Sequence, residues 1–284
     1  YFPFSFTFLN FEKLLKKEFM LNIISTPIGN LSELSPRAVE ILNSVDFVYC
    51  EDTRHSIVLL NHHGIKAKLV SYQRFNERER VQEIVEKLKE GKTLALISDA
   101  GTPLISDPGN ILVEELVKND LPFTHISGAC ALVSALVLSG LNIQKFYFAG
   151  FLPEKQKDKN ELIEEVKNLK STLVFYVAVH DIERTLTYFH EKLGSRKFAL
   201  SRELTKKFEE VIRGTLGQDI LITKKGEFVL VIEGKIESEN VDKTIEELYQ
   251  KFVDDGMDKK LAMKEVAKVK GVSKSEVYRA VHNE

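Results

Sequence analysis

Short apolar runs alternate with stretches of helical periodicity along most of the chain. "LNIIS" (21–25) is a strand pattern, and "TPIGN" (26–30) follows as a turn. "SPRAVEILNSV" opens a helix, with Ser35 suited to the N-cap and Pro36 to the first turn. "DFVYC" (46–50) is a strand, and "EDTR" leads into a helix through His63. "KLVSY" (68–72) is a strand, and "NERERVQEIVEKLKEG" (76–91) is an amphipathic helix stopped by Gly91. "TLALIS" (93–98) is a buried strand. A helix follows Asp107-Pro108, then the strand "PFTHI" (122–126) and the small-residue helix "ACALVSALVLSG" (129–140). Strands that alternate with helices in this way predict a mostly parallel α/β sheet.

The pattern changes at 141–160. "KFYFAG" is a strand, and "FLPEKQKDKN" is a polar bridge containing proline. The domain boundary falls here, giving an N-terminal α/β domain over 20–140 and a smaller α/β domain over 141–234. The second domain reads as a helix (157–170), "STLVFYVA" (strand), "HDIERTLTYFHEKLG" (helix), "KFALSRELT" (strand and exit) and "GEFVLVIEG" (strand). Residues 235–256 are acidic and helical, and 257–284 form a distinct tail. Residues 1–19 are expected to be an extension outside the fold. A signal peptide places its basic residues ahead of the apolar run and a small-residue cleavage site after it. Here the basic residues follow the run. An amphipathic anchor is the alternative.

Composition narrows the class. The 284 residues are 43% hydrophobic and 29% charged, with a net charge of -2. Contact with nucleic acid would therefore need local positive charge. Cys50 and Cys130 lie far apart with no CxxC pair, which fits a reducing, cytoplasmic setting and neither a disulfide framework nor a cysteine zinc site. No apolar run is long enough to span a membrane. There is no GxGxxG after the first strand, no GxxxxGK[ST], no GxSxG and no HExxH. His62 and His63 are adjacent, about 100° apart on a helix, and read as a surface pair. No metal site is expected.

Three loops leave strand ends: "TPIGN", "EDTRH" and "SDAGTPLISDPG". Ligands of open α/β sheets bind beyond the carboxyl ends of strands. The twelve residues from Ser98 to Gly109 hold two glycines, two prolines and two aspartates. Glycine lets a ligand approach the backbone, and proline fixes the path. The stretch is either a ligand loop with Asp99 offering a carboxylate, or a tight loop whose aspartates cap helices. The tail carries seven Lys/Arg and four Asp/Glu, a local +3. Ala267, Gly271 and Val277 have the A-x3-G-x5-V spacing of a helix-turn-helix, with Ser273 capping its second helix. It is either an RNA-contacting appendage or a helical hairpin docked on the body; the basic excess favours RNA.

"TPIGNLSELSPRAVEIL", "EDTRHSIVLLNHHGI", "SDAGTPLISDPG" and "GFLP", in this order, closely resemble the ribosomal RNA small-subunit 2′-O-methyltransferase I group of the tetrapyrrole methylase superfamily. The resemblance covers about residues 21 to 234. It implies a two-domain tetrapyrrole methylase-like α/β fold with a helix-turn-helix-like appendage, and a homodimer. It implies S-adenosylmethionine in a cleft between the domains, and methylation of a cytidine ribose 2′-hydroxyl in the decoding region of 16S rRNA within the small ribosomal subunit. Carried over by position, Asp99, Ala100, Gly101, Thr102, Leu104 and Ile105 line the cofactor site, with Ala129 and Cys130 near it. Phe151, Ala178 and Gly214 join from the second domain, and Thr26, Pro27, Gly29 and Asn30 form the first loop.

Two motifs depart from the family pattern. "ISGACA" (126–131) stands where a "PGPSA"-like run is usual, with Gly128 and Ala131 keeping the small residues. "FYVAVHDIERT" (175–185) stands for "FYEAPHR", so the glutamate is Val177 and the arginine is Asp181. Methyl transfer to a ribose hydroxyl needs a base for its proton or a cation for the developing alkoxide. The candidates are Glu51, Asp52 and Arg54 in the first domain, and Arg202, Glu203 and Lys206 in the second. Arg54 can instead clamp a phosphate, or simply pair with a helix-capping Asp52. Methylation of a small tetrapyrrole, and RNA binding without catalysis, are the rival readings.

Overall fold

β1 (Leu21–Ile24) and β4 (Leu94–Ile97) are apolar throughout except Asn22, and both are fully buried. Strands covered on both faces read in this way. They pair in parallel, and around them β2 (Phe47–Cys50), β3 (Leu69–Ser71) and β5 (Phe123–Ile126) complete a parallel sheet of order β3-β2-β4-β1-β5. Asn22 donates its side-chain amide to Leu94 O at 3.1 Å, so the one polar group in β1 is satisfied. The computed structural model describes residues 19–236 and 243–282. The expected N-terminal extension therefore lies outside the described residues, apart from Phe19.

Helices α1 (Pro36–Ser44), α2 (Thr53–His62), α3 (Glu77–Lys89) and α4 (Asn110–Lys118) connect these strands. Ser35 caps α1 by accepting from Ala38 N at 3.2 Å, as its position ahead of Pro36 predicts. Two cores form, one on each face of the sheet. One gathers Tyr49, Ile84, Leu88, Leu112 and Leu116; the other gathers Leu34, Leu42, Val48 and Leu60.

The second sheet is mixed. β6 (Phe146–Phe151), β7 (Thr172–Val177), β8 (Lys197–Arg202), β9 (Glu210–Thr215) and β10 (Phe228–Ile232) take the order β6-β7-β10-β8-β9, with only the β6–β7 pair parallel. α6 (Gln156–Val166) and α7 (Ile182–Leu193) cover one face. β9 is the strand that the sequence pattern hides. It lies at the sheet edge and none of its residues is fully buried, so no apolar alternation marks it.

α5 (Ala131–Ser139) covers the other face. Although it lies before residue 141, it packs on β7, β8 and β10 of the second sheet. Leu132, Ala135 and Leu136 are buried there with Val174, Val229 and Val231, and Ile28 from the first domain joins them. Arg213 of β9 donates Nε to Ser139 O at 3.1 Å, placing a cation on the carboxyl end of α5. This cluster binds the two sheets into one body.

The tail forms α8 (Ile245–Asp254), α9 (Lys259–Lys270) and α10 (Lys274–His282) around Leu248, Val266 and Val277. Gly271 ends α9 in the left-handed region, and Ser273 caps α10 by accepting from Glu276 N at 3.2 Å. The expected helix–turn–helix is thus a small helical unit with its own core.

Leu136 seals the shared core between the sheets. Leu136→Ala is expected to cost about 2–5 kcal/mol of unfolding free energy. Denaturant unfolding is the measurement, and a cost below about 1 kcal/mol would show that α5 is not a structural bridge.

Candidate active site

The first loop and the glycine-proline loop are fastened to each other. Thr26 and Gly101 form an isolated antiparallel bridge, with Thr26 N donating to Gly101 O at 2.8 Å and Gly101 N to Thr26 O at 3.1 Å. Side chains reinforce it. Thr26 Oγ1 donates to Ser98 O at 3.1 Å, Ser25 Oγ lies 2.9 Å from Thr102 Oγ1, and Thr102 Oγ1 donates to Ala129 O at 3.0 Å. The loops at the carboxyl ends of β1, β4 and β5 are thereby one unit. Gly101 has φ of 85°, and a Cβ there would press Ile28 at 3.2 Å. Its glycine is therefore required by backbone conformation and by the bridge, as well as by its place on the cavity wall.

A cavity of about 400 Å³ opens between this unit and the second sheet. Asp99, Ala100, Gly101, Thr102 and Ile105 line one side, with Phe151 and Ala178 opposite; all seven are sequence-predicted. The size and the largely apolar lining with a few polar groups suit a nucleoside-sized ligand. A side cavity of about 230 Å³ adjoins it through the shared residues Ile28, Asp99, Ala100 and Glu227. Pro27, Gly29 and Lys206 line that one.

Lys206 is held in place. Its Nζ donates to Glu203 Oε1 at 2.9 Å and to Glu227 Oε2 at 3.0 Å. A Cβ at Gly29 would run into its stem, and Asn30 N donates to Thr205 Oγ1 at 3.1 Å, so the first loop and the 203–209 loop are pressed together. Burial works against the Lys206 charge, but the two carboxylates more than offset it and raise its pKa. The Lys206 hydrogen bond pulls the Glu203 carboxyl below its usual range, and Glu203 also accepts from Glu227 N at 3.1 Å. A carboxylate so engaged is a poor proton acceptor.

Other sequence candidates lie at varying distance from the cavities. Asp52 caps α2, accepting from Arg54 N at 2.8 Å, and Arg54 returns Nε and Nη2 to its carboxylate at 3.0 and 2.7 Å. This is the cap-and-pair arrangement. The Arg54 hydrogen bond holds the Asp52 pKa at about 2, which makes it a weak proton acceptor. Asp52 still reaches the site, since its N–H donates to Asp99 Oδ1 at 3.1 Å. Arg202 pairs with Glu210 at 3.0 Å and locks the β8–β9 hairpin. Ala129 and Cys130 stand behind the cavity in the shared core. Leu104 turns away, with φ of 74°, and packs into the first-domain core. Gly214 sits on edge strand β9 opposite Phe198. Val177 adds an apolar wall to the inter-sheet cavity, and Asp181 pairs with Arg184 and with His180 at 3.0 Å.

Sequence reasoning passed over Asp107, Tyr176, Glu227 and Phe228, which also line the cavity. Asp107 stood inside the singled-out loop. Burial first, and then Glu51, raise its pKa to about 6. Backbone strain is a further signal that sequence does not carry. Five described non-glycine residues have positive φ, and four of them, Leu104, Ser106, Glu203 and Thr205, lie in the two loops that flank these cavities. Such strain costs roughly 1–3 kcal/mol per residue and gathers at functional sites.

Two α/β sheets bound into one body, with loop-lined cavities at their junction, define a class. The solved uroporphyrin-III-C-methyltransferase from Thermus thermophilus shares the fold, covering 75% of this chain and 94% of its own at a TM-score of 0.54 and 18% identity. A family model described as Tetrapyrrole (Corrin/Porphyrin) Methylases matches residues 20–218. The chain is also similar to Ribosomal RNA small subunit methyltransferase I of Halalkalibacterium halodurans, 40% identical over 93% of this chain and 95% of that protein. The protein of that name from Bacillus subtilis is likewise 40% identical, over 93% of this chain and 94% of its own. The chain belongs to the tetrapyrrole methylase family of methyltransferases, alongside these relatives.

Arg54→Ala is expected to return the Asp52 carboxyl toward the ordinary value of about 3.9. Carboxyl-detected NMR titration reads this. An Asp52 that still titrates near about 2 in the variant would assign the shift to the helix terminus instead of to Arg54.

Proposed function

We propose that the protein methylates a cytidine ribose 2′-hydroxyl in the decoding region of 16S rRNA, using S-adenosylmethionine bound in the inter-sheet cavity. The observation that carries this reading is the pair of connected cavities. One suits a nucleoside cofactor, and the other presents a fixed cation, Lys206, at the junction. The relatives' names supply the substrate class.

The cofactor supplies an electrophilic methyl group when bound. Ile28, Ile105, Phe151 and Phe228 would hold its apolar parts, and Asp99, Thr102 and Asp107 its polar groups. The acceptor ribose enters by the side cavity. Asp99, shared by both cavities, takes the 2′-hydroxyl proton on its carboxylate, while protonated Lys206 stabilises the developing alkoxide. Glu203 and Glu227 position Lys206. Alignment of donor and acceptor by the fastened loops accounts for much of the rate.

The surroundings suit RNA. Arg54 is exposed and keeps one guanidinium nitrogen, Nη1, outside its pair with Asp52, from which it can donate to a single phosphate oxygen. Phe208 is exposed with Lys207 over its ring at 5.6 Å, a pairing of aromatic and cation that suits unpaired bases. The +3 tail extends this contact. A homodimer forms through the exposed apolar residues Phe123 and Phe146 on edge strands and Val133 and Val137 on α5. Among the described residues no helix is long and apolar enough to cross a membrane. With the small ribosomal subunit as the proposed substrate, we place the protein in the cytoplasm.

Single-turnover methyl transfer to undermethylated small subunits, with a porphyrinogen as competing acceptor, tests the reading. Asp99→Asn and Lys206→Met are each expected to slow transfer by about 10²-fold or more, with Lys206→Met leaving cofactor affinity nearly unchanged. Label in the porphyrinogen alone would sink the assignment. Removal of residues 257–284 is expected to weaken subunit binding and flatten its salt dependence. An unchanged salt slope would return the tail to a docking role.

A further inference from the structure

The inter-sheet cavity has a one-sided charge. Its charged lining residues are Asp99, Asp107 and Glu227, and no lysine, arginine or histidine lines it among the described residues. Glu227 is already paired to Lys206, which leaves Asp99 and Asp107. Asp99 accepts one backbone N–H, from Asp52. Asp107 is half-buried, and Glu51 at the end of β2 adds a third carboxylate against it. The two ends of the methyl-transfer reaction differ in charge at this place. The donor carries a sulfonium and an ammonium against one carboxylate, so it is a net cation. The product has lost the sulfonium charge and is net neutral.

We propose that Asp107 and its neighbouring carboxylates make the cavity select the cationic methyl donor over its neutral product, so that transfer itself weakens the hold on the spent cofactor. This rests on the cofactor reading above and adds a specificity determinant to it. A carboxylate in a partly dry cavity attracts a cation far more strongly than it would in water, while a zwitterion of no net charge gains little.

The device has a pH signature. Asp107 is faced by Glu51 from β2, by Asp99 and Ser98 from the end of β4, by Arg74 from the loop after β3, and by Tyr176 from β7. Arg74 sits close, its Nη2 donating to Ser106 O at 3.0 Å, and it relieves the repulsion in part. The net outcome is a carboxyl raised to about 6. Donor binding favours its ionised form. Donor affinity therefore rises with pH through that value and falls below it as Asp107 is neutralised, whereas product affinity stays nearly level. Working between about pH 5 and 7 avoids titrating the ligand's own amine.

Calorimetric titration of the full chain with S-adenosylmethionine, S-adenosylhomocysteine and sinefungin, which carries an amine in place of the sulfonium, reads the effect without any turnover. A cation that lowers the Asp107 pKa by about one unit is worth about tenfold in affinity. Asp107→Asn is therefore expected to weaken the two cationic ligands by about tenfold and the neutral product by less than about threefold, and to flatten the pH profile. Glu51→Gln removes a like charge beside Asp107 and is expected to move the midpoint of the profile to lower pH; it keeps the test in force if Asp107→Asn does not fold. Equal weakening of donor and product in Asp107→Asn overturns the proposal, as does a donor-to-product ratio in the wild type that is level across this range. Binding of none of the three by the wild type would overturn the cofactor reading itself, and this inference with it.

Discussion

The Thr26–Gly101 bridge is the constraint on which the site depends. Parallel strands end in loops that have no ladder to fix them. Here two backbone hydrogen bonds, and the hydroxyls of Ser25, Thr26 and Thr102, carry pairing one step beyond the strand ends. The result is a rigid rim at the carboxyl edge of the first sheet. Ile28, two residues beyond the bridge, then enters the core shared with the second sheet. The same few residues thereby shape the cavity and fix the opposite wall relative to it.

Much of this was legible in the sequence. The parallel α/β order, the Ser35 cap, the glycine-ended helices and the Ser273 turn follow local rules, and each stands in the structure. Seven of the cofactor candidates line one cavity, because they lie on loops that leave neighbouring strand ends. The failures have physical causes. β9 has no buried face to imprint a period. α5 is apolar nearly all round, so its pattern does not reveal which sheet it covers, and it covers the second. The resemblance places Leu104 at the cofactor, whereas its backbone has a positive φ and its side chain packs on the first core. Such a reversal depends on backbone conformation and leaves no mark on composition.

The acid and base candidates show the same limit more sharply. Sequence lists charged residues near strand ends and does not say which of them neutralise one another. Asp52 is consumed by Arg54 and the α2 terminus, and Glu203 by Lys206 and the Glu227 N–H. Lys206 remains a cation held between two acids, and Asp99, which the sequence places with the cofactor and not among the bases, faces both cavities.

Strain and charge are then distributed to the same purpose. The residues with positive φ at 104, 106, 203 and 205 belong to the loops that carry Asp107 and Lys206, the anionic and cationic ends of the site. Each strained position weakens the fold, and each is held by a contact beyond its own loop: Leu104 by the first core, the backbone of Ser106 by Arg74, Glu203 by Glu227, Thr205 by Asn30. A loop tied from outside at its strained positions has less freedom to relax when the charge of its ligand changes. On the cofactor reading proposed above, the loss of the sulfonium charge is then felt mainly as a change in affinity.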